Sequence, residues 1–362
     1  MVHALIATVT LLPIIDDDVR LNQVQVIGTH NSYHIAPTAA ILDLLKVGGD
    51  RVKGLDYTHK PLAEQFQDLG IRQVELDLFA DPDGGLYASP AMRKTVKTLG
   101  KDPGPDPNVD GVLDRPGMKV LHVQDIDFLS TAPTFVAALK QIKDWSIKHS
   151  KHVPIFVLVE LKDDAVLGTS TKPVEFDASL LDAVEAEALS VFDRSDLFTP
   201  DDLRGDSPSL PHAIAAKGWP RLDALRGKVI LGLDNEGALR DLYVQGHEAL
   251  KGRLMFATMD GPDHAAAAWF KINDPLRDFD RIQDLVRKGF LIRTRADADT
   301  REARANDGTR RDKALASGAQ FVSTDYPEPR LEFSGYQVKL PGKAVARPNP
   351  VSLPGRGDGE LE

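Results

Sequence analysis

The sequence predicts a single α/β domain of the (β/α)8, or TIM barrel, type, and three observations predict it. Eight short β-rich runs recur along the chain, segments with helical spacing separate them, and polar residues gather where the first four runs end. Several runs are almost continuously apolar, as in Ile155-Phe156-Val157-Leu158-Val159, the pattern of a parallel strand covered on both faces. A length of 362 residues suits one such domain with insertions. A doubly wound open sheet is the architectural alternative.

The chain begins with an apolar stretch, Met1 to Ile15, that resembles the core of a secretion signal but lacks a basic leader and a small-residue cleavage site. Residues 1–20 are therefore read as a lead-in or signal remnant, and the barrel is expected over 21–343. Strands are expected at 24–30, 73–79, 119–124, 155–161, 228–234, 254–259, 290–295 and 320–323. Helices are expected at 61–69 and 133–148, each with proline in its first turn, and at 177–192, 279–288 and 300–317, where alanine and leucine supply propensity. Residues 81–117 carry Asp83-Gly84-Gly85 and Pro103-Gly104-Pro105-Asp106-Pro107, so a long loop should follow the second strand. Beyond Pro327 the composition turns to proline, glycine and charge, and 344–362 should form an extended or frayed tail. Arg356-Gly357-Asp358 within it matches an adhesion tripeptide and is read as incidental. No stretch after the first fifteen residues approaches the ~20 apolar residues of a membrane-spanning helix.

Composition narrows the chemistry. With 44 Lys plus Arg against 54 Asp plus Glu, the net charge of -10 offers no electrostatic reason to approach a nucleic acid. The absence of cysteine excludes disulfides, thiolate zinc sites and cysteine nucleophiles. Catalysis must use histidine, carboxylates, hydroxyls or amines.

Those groups collect at the carboxyl ends of the first four expected strands, where barrel active sites form. The ends read Gly28-Thr29-His30-Asn31-Ser32-Tyr33, Val74-Glu75-Leu76-Asp77, Leu121-His122-Val123-Gln124-Asp125 and Val159-Glu160-Leu161-Lys162. Residues two apart on a strand share a face, so Glu75 and Asp77 should point together into the mouth. Asn31, Glu75, Asp77 and Glu160 offer only oxygen, the donor set of a hard cation, and calcium tolerates irregular geometry better than magnesium. Any one such residue usually satisfies a loop or an ion pair. Four strand ends delivering His-Asn, Glu-x-Asp, His and Glu would repel and desolvate without a cation.

These motifs resemble the phosphatidylinositol-specific phospholipase C superfamily, and within it the bacterial calcium-dependent group. The resemblance extends over about residues 24–327 and includes Arg293-Thr294-Arg295-Ala296-Asp297 and Ser323-Thr324-Asp325-Tyr326. It implies a distorted barrel in which His30 is the general base, His122 the general acid, and Asn31, Glu75, Asp77 and Glu160 the calcium ligands. Metal-independent bacterial relatives carry a strand resembling Asp-Ile-Arg where this chain has Glu75-Leu76-Asp77. The calcium-binding helix-loop-helix of the eukaryotic enzymes has no counterpart here. The implied reaction is attack of an inositol 2-hydroxyl on its neighbouring phosphodiester through a 1,2-cyclic phosphate.

Lys162 should share the face of Glu160, where it either neutralises phosphate or pairs with Asp77 or Asp125. Arg293 and Arg295 are candidate substrate contacts, one of which would instead pair with a carboxylate below the site. His34 follows His30 by four residues, a metal-binding spacing only on a helix, and His59, His212, His247 and His264 are read as surface or loop residues rather than ligands. Two rival functions stay in view. A glycerophosphodiester phosphodiesterase usually shows His-Arg-Gly in its first strand, against His30-Asn31-Ser32 here, and a silent headgroup-binding barrel would not be expected to keep both histidines. The expected partners are a phospholipid or glycerophosphodiester, with peripheral membrane contact and without nucleic acid or an obligate protein partner. The expected location is secreted or extracytoplasmic.

Overall fold

Apolar residues buried on both faces assemble the strands β1 (Val24–Thr29), β2 (Gln73–Phe79), β3 (Lys119–Val120), β4 (Ile155–Leu161) and β5 (Val229–Leu233). The same sheet contains β6 (Met255–Ala257), β7 (Trp269–Lys271), β8 (Leu291–Arg295), β9 (Phe321–Thr324) and β10 (Ala346–Pro348). The computed structural model describes residues 19–342, 344–356 and 359–362, so most of the expected signal remnant and part of the Arg356-Gly357-Asp358 tripeptide lie outside the described residues. Eight strands are parallel in the order β6-β5-β4-β2-β1-β9-β8-β7. Strands β6 and β7 meet through the single parallel bridge Thr258 to Trp269, which leaves the barrel nearly closed.

Seven of the eight expected strands are staves of this barrel. The run at 119–124 is not: only Lys119 and Val120 are strand, and they pair antiparallel with the end of β2. The reason lies in Lys119, a fully buried lysine whose Nζ sits 3.2 Å from Asp81 and donates to the carbonyls of Arg115 and Gly117. These contacts fold the chain back over the end of β2, and the chain turns again at Asp125 with φ of 65°. The missing stave is β7, whose three residues are too few to show a period of two.

The barrel interior is plugged by aromatic rings below the open end. Phe156 stacks on Phe321 at 4.5 Å and meets Trp269 edge-on at 5.4 Å. Gly232 makes room for the first of these rings, since a Cβ there would lie 2.7 Å from it. By the strand registers, Phe156 faces inward with Leu158 and Glu160, and Gln73 does so with Glu75 and Asp77. One face of each strand therefore runs from hydrophobic floor to polar mouth.

Most expected helices are present: Leu62–Leu69, Phe135–Lys148, Ala178–Val191 and Phe279–Arg287. Thr134 and Asp177 cap the second and third of these through their side-chain oxygens. The run at 300–317 is two helices, Arg301–Ala305 and Thr309–Ala316, because Asn306 adopts φ of 52° and ends the first. The long segment 81–117 contains a helix, Ala91–Thr98. The tail is tied rather than frayed where it is described. β10 pairs antiparallel with β1, Leu361 is buried, and the Glu362 carboxylate binds the Arg72 guanidinium and accepts from Val153 N–H at 2.7 Å. Among the described residues no helix is long and apolar enough to cross a membrane.

Candidate active site

His30 follows the last residue of β1 and is anchored by the neighbouring staves. Its backbone N–H donates to Thr324 at 3.2 Å, and its Nδ1 lies 2.9 Å from Oδ1 of Asp325, just beyond β9. Nε2 faces Arg295, at the end of β8, at 3.2 Å. A guanidinium can only donate, so Nε2 accepts, Nδ1 carries the proton, and the ring is neutral. Burial and the charge of Arg295 hold His30 well below the ordinary histidine pKa, despite the opposing pull of Asp325. A neutral imidazole whose Nε2 lone pair faces the mouth beside a cation is arranged as a base.

His122 sits across the mouth on the turn after β3. Its Nδ1 lies 2.8 Å from Oδ2 of Asp127, and the turn is closed by the backbone of Val123 and Asp127. Burial alone would lower this histidine; the hydrogen bond and charge of Asp127, joined by Asp77, outweigh it and raise the pKa. Asp127, which burial alone would raise, is brought down to about 2 by the charge of His34 and the hydrogen bonds of His34 and His122. Two partly exposed imidazoles therefore have Nδ1 fixed by a carboxylate, while their environments push their pKa values in opposite directions.

Between them lies a basin of oxygen. Asn31 turns the chain out of β1 with φ of 44°, a conformation asparagine tolerates, and buries an Oδ1 that accepts no hydrogen bond. Asp77 is fully buried, and neither carboxylate oxygen accepts a hydrogen bond. Carboxylate oxygens of Glu75, Glu160 and Asp234 lie within 4.8 Å of one another. Burial pushes Glu75 up to about 8 against the charge of Arg293, with Asp234, Asp77 and Glu160 adding to the rise. Glu160 is raised by burial and by Asp77. Buried like charges and oxygens left without hydrogen bonds are the condition that a hard cation relieves, so the residues fit calcium. Glu75 and Glu160 lie together, and Asp77 shares Lys162 with Glu160. Asp234, one residue past β5, joins them.

Lys162 pairs with both Asp77 at 3.3 Å and Glu160 at 3.2 Å, which answers the ion-pair alternative with Asp77. Asp125 is occupied elsewhere: it accepts from the backbone of Ala91, Ser170 and Thr171 at 2.7–2.8 Å and so ties the long segment after β2 to the one after β4. Arg293 is the arginine below the site. It is 1% exposed and spends its guanidinium on Glu75, Asn273 and Ser323. Arg295 remains at the mouth with His30 and Asp325. Ser32 faces away, bonded to Thr29 and to the backbone of Glu75. Sequence reasoning missed Asp127 and Asp234. For Asp234 a signal existed, a carboxylate ending an expected strand; Asp127 lies within five residues of His122 but on no recognisable element.

A family model described as calcium-dependent phosphoinositide phospholipase C matches residues 19–350. Among solved structures, the calcium-dependent phosphoinositol-specific phospholipase C of a Pseudomonas species aligns with a TM-score of 0.53 at 16% identity, covering 92% of this chain and 96% of that one. A myoinositol complex of the Pseudomonas protein gives 0.54 at the same identity and coverage. A calcium-dependent enzyme from Streptomyces antibioticus gives 0.48 at 18% identity, covering 85% of this chain and 95% of that one. No curated protein sequence matches.

Proposed function

The chain belongs to the calcium-dependent phosphoinositide phospholipase C family, and on that premise we propose that it cleaves inositol phospholipids with His30 as base and His122 as acid, through a 1,2-cyclic inositol phosphate. The observation that carries this reading is the pair of imidazoles, each with Nδ1 held by a carboxylate and their pKa values pushed in opposite directions, beside the oxygen basin. Asn31, Glu75, Asp77, Glu160 and Asp234 are the residues that would hold calcium. Bound there, the cation supplies Lewis-acid activation of a hydroxyl and offsets phosphoryl charge.

The protein's own groups do the rest. His30 Nε2 removes the proton of the inositol 2-hydroxyl, and the Nδ1 proton stays on the ring, donated to Asp325, through the step. Arg295 stands beside that nitrogen and faces developing negative charge on phosphorus. The 2-hydroxyl is already adjacent to the phosphodiester, which gives intramolecular attack a large effective molarity over water. His122 Nε2 delivers its proton to the departing glycerol oxygen as that bond breaks. Cysteine is absent, Ser32 is turned to Thr29 and the Glu75 backbone, and the inward Ser323 hydroxyl is committed to Gln73 and Arg293, so no covalent route is offered.

Phosphorus NMR of an early time course on phosphatidylinositol with calcium tests the proposal. The cyclic species should precede the open monophosphate. Direct release of monophosphate carrying oxygen-18 from water, with equal turnover of a 2-deoxy analogue, would instead make the protein a glycerophosphodiesterase-type hydrolase.

A further inference from the structure

His34 lies in the loop after β1, completely buried, and the reaction just described does not use it. Its Nε2 is 2.8 Å from Oδ2 of Asp127, the same oxygen that His122 Nδ1 approaches at 2.8 Å. Its Nδ1 is 3.0 Å from the carbonyl oxygen of Tyr57. The ring nitrogens face a backbone carbonyl and a carboxylate, so the ring bridges the Tyr57 backbone and Asp127. The ring stacks on Tyr57 at 4.2 Å and meets the His122 ring edge-on at 5.7 Å. The backbone N–H of His34 donates to Asn31, and its carbonyl accepts from His59 N–H, each at 2.9 Å. This imidazole is fixed on every side.

Asp127 is not. Its Oδ1 is buried without a hydrogen-bond partner, so the orientation of the carboxylate rests on Oδ2. Without His34, that oxygen would keep only His122 as a side-chain donor among the described residues. A carboxylate held at one oxygen turns about a broad, nearly twofold torsion. The His122 ring would turn with it.

Resting on the reading of His122 as the general acid, we propose that His34 is its positioning residue: it locks Asp127 through the oxygen that it shares with His122 and so aims His122 Nε2 at the departing oxygen. The transferred proton comes from His122 alone. The Nε2 proton of His34 stays on its ring, Asp127 stays ionised, and no bond to His34 forms or breaks.

The test compares His34→Leu, His34→Gln and His122→Ala on phosphatidylinositol and on an inositol nitrophenyl phosphodiester, whose leaving group needs little protonation. His34→Leu should lose about tenfold or more in kcat on the lipid, with KM within about twofold of the parent. On the nitrophenyl substrate most of that loss should vanish. His34→Gln, which keeps a side-chain N–H for Asp127, should recover part of the lipid rate. Equal loss on both substrates, or no loss in His34→Leu, overturns the proposal while leaving the acid assignment standing if His122→Ala is itself selective for the leaving group. A His122→Ala variant without that selectivity removes the acid assignment and this inference together. Should His34→Leu fail to fold, nitrogen NMR of the unmodified, calcium-loaded protein decides: a hydrogen-bond coupling from His34 Nε2–H to Asp127 is expected, and a His34 Nε2 without a proton overturns the proposal.

Discussion

The two halves of the mouth are built differently. The base half is made of staves: His30, Arg295 and Asp325 stand at the ends of β1, β8 and β9, neighbours in the sheet whose hydrogen-bond register sets their spacing. The acid half is made of loops: His122 and Asp127 lie on a turn off the barrel, held by side chains from other segments, namely His34 and, through Asp125, the segments after β2 and β4. Backbone pairing tolerates the loss of one side chain, whereas a tethered turn does not. The base half should therefore fail only when its chemistry is removed, and the acid half also when its supports are removed.

The largest effects should come from the chemistry itself. His30→Ala should lose about 10²–10⁴ in turnover whatever the leaving group, while His122→Ala should lose a comparable factor on phosphatidylinositol and regain much of it on a nitrophenyl ester. Steady-state rates on both substrates measure this, and equal rescue of the two variants would erase the distinction between the halves. Next comes the basin they share. Asp77→Asn removes one of several crowded carboxylates, so its melting temperature without calcium should equal or exceed that of the parent. The stabilisation by calcium, about 2.7 kcal/mol for the parent at a hundredfold excess over Kd, should largely disappear. Thermal melts with calcium and with chelator read both quantities.

A smaller effect tests the supports. Asp125→Ala frees the first turn of the helix Ala91–Thr98 and the backbone of Ser170 and Thr171, and should cost about 1–3 kcal/mol. Denaturant melts give the energy, and faster proteolysis within 81–117 would place the loosening in the acid half. The finest test is the pH profile. His122 must be protonated to act, and its pKa is raised, so activity should persist below that value and fall as pH climbs through it, above the ordinary histidine range. Asp127→Asn withdraws the charge that raises it and should move the falling limb to lower pH.

The same division explains what could be read in the sequence. Barrel strands announce themselves by apolar runs, and register then dictates facing, so Glu75, Asp77, Glu160 and His30 were legible as a set before any coordinates. His122 was legible as a residue, yet its setting was not. A strand was expected around it, but the buried ion pair of Lys119 with Asp81 turns the chain away after two residues. The count of eight strands held because the short stave at Trp269–Lys271, invisible to periodicity, replaced the one that was lost. Asp127 and His34 belong to no periodic element; only folding brings them within 2.8 Å. Long-range tethers of this kind leave no local signature.

The weak seam between β6 and β7 has a further consequence. Its strands share one bridge, as β1 and β2 share one register pair, but the Arg72 and Ser32 N–H groups reinforce the latter by donating to Ile27 and Glu75, so spontaneous opening should begin between β6 and β7. Counting along the strand order, β2 and β1 occupy the middle, as far from either edge as eight strands permit. Amide exchange should accordingly be fastest in Met255–Ala257 and Trp269–Lys271 and slowest in β1, β2 and β4. The strands that present His30, Glu75 and Asp77 would then stay closed while the far wall opens and shuts.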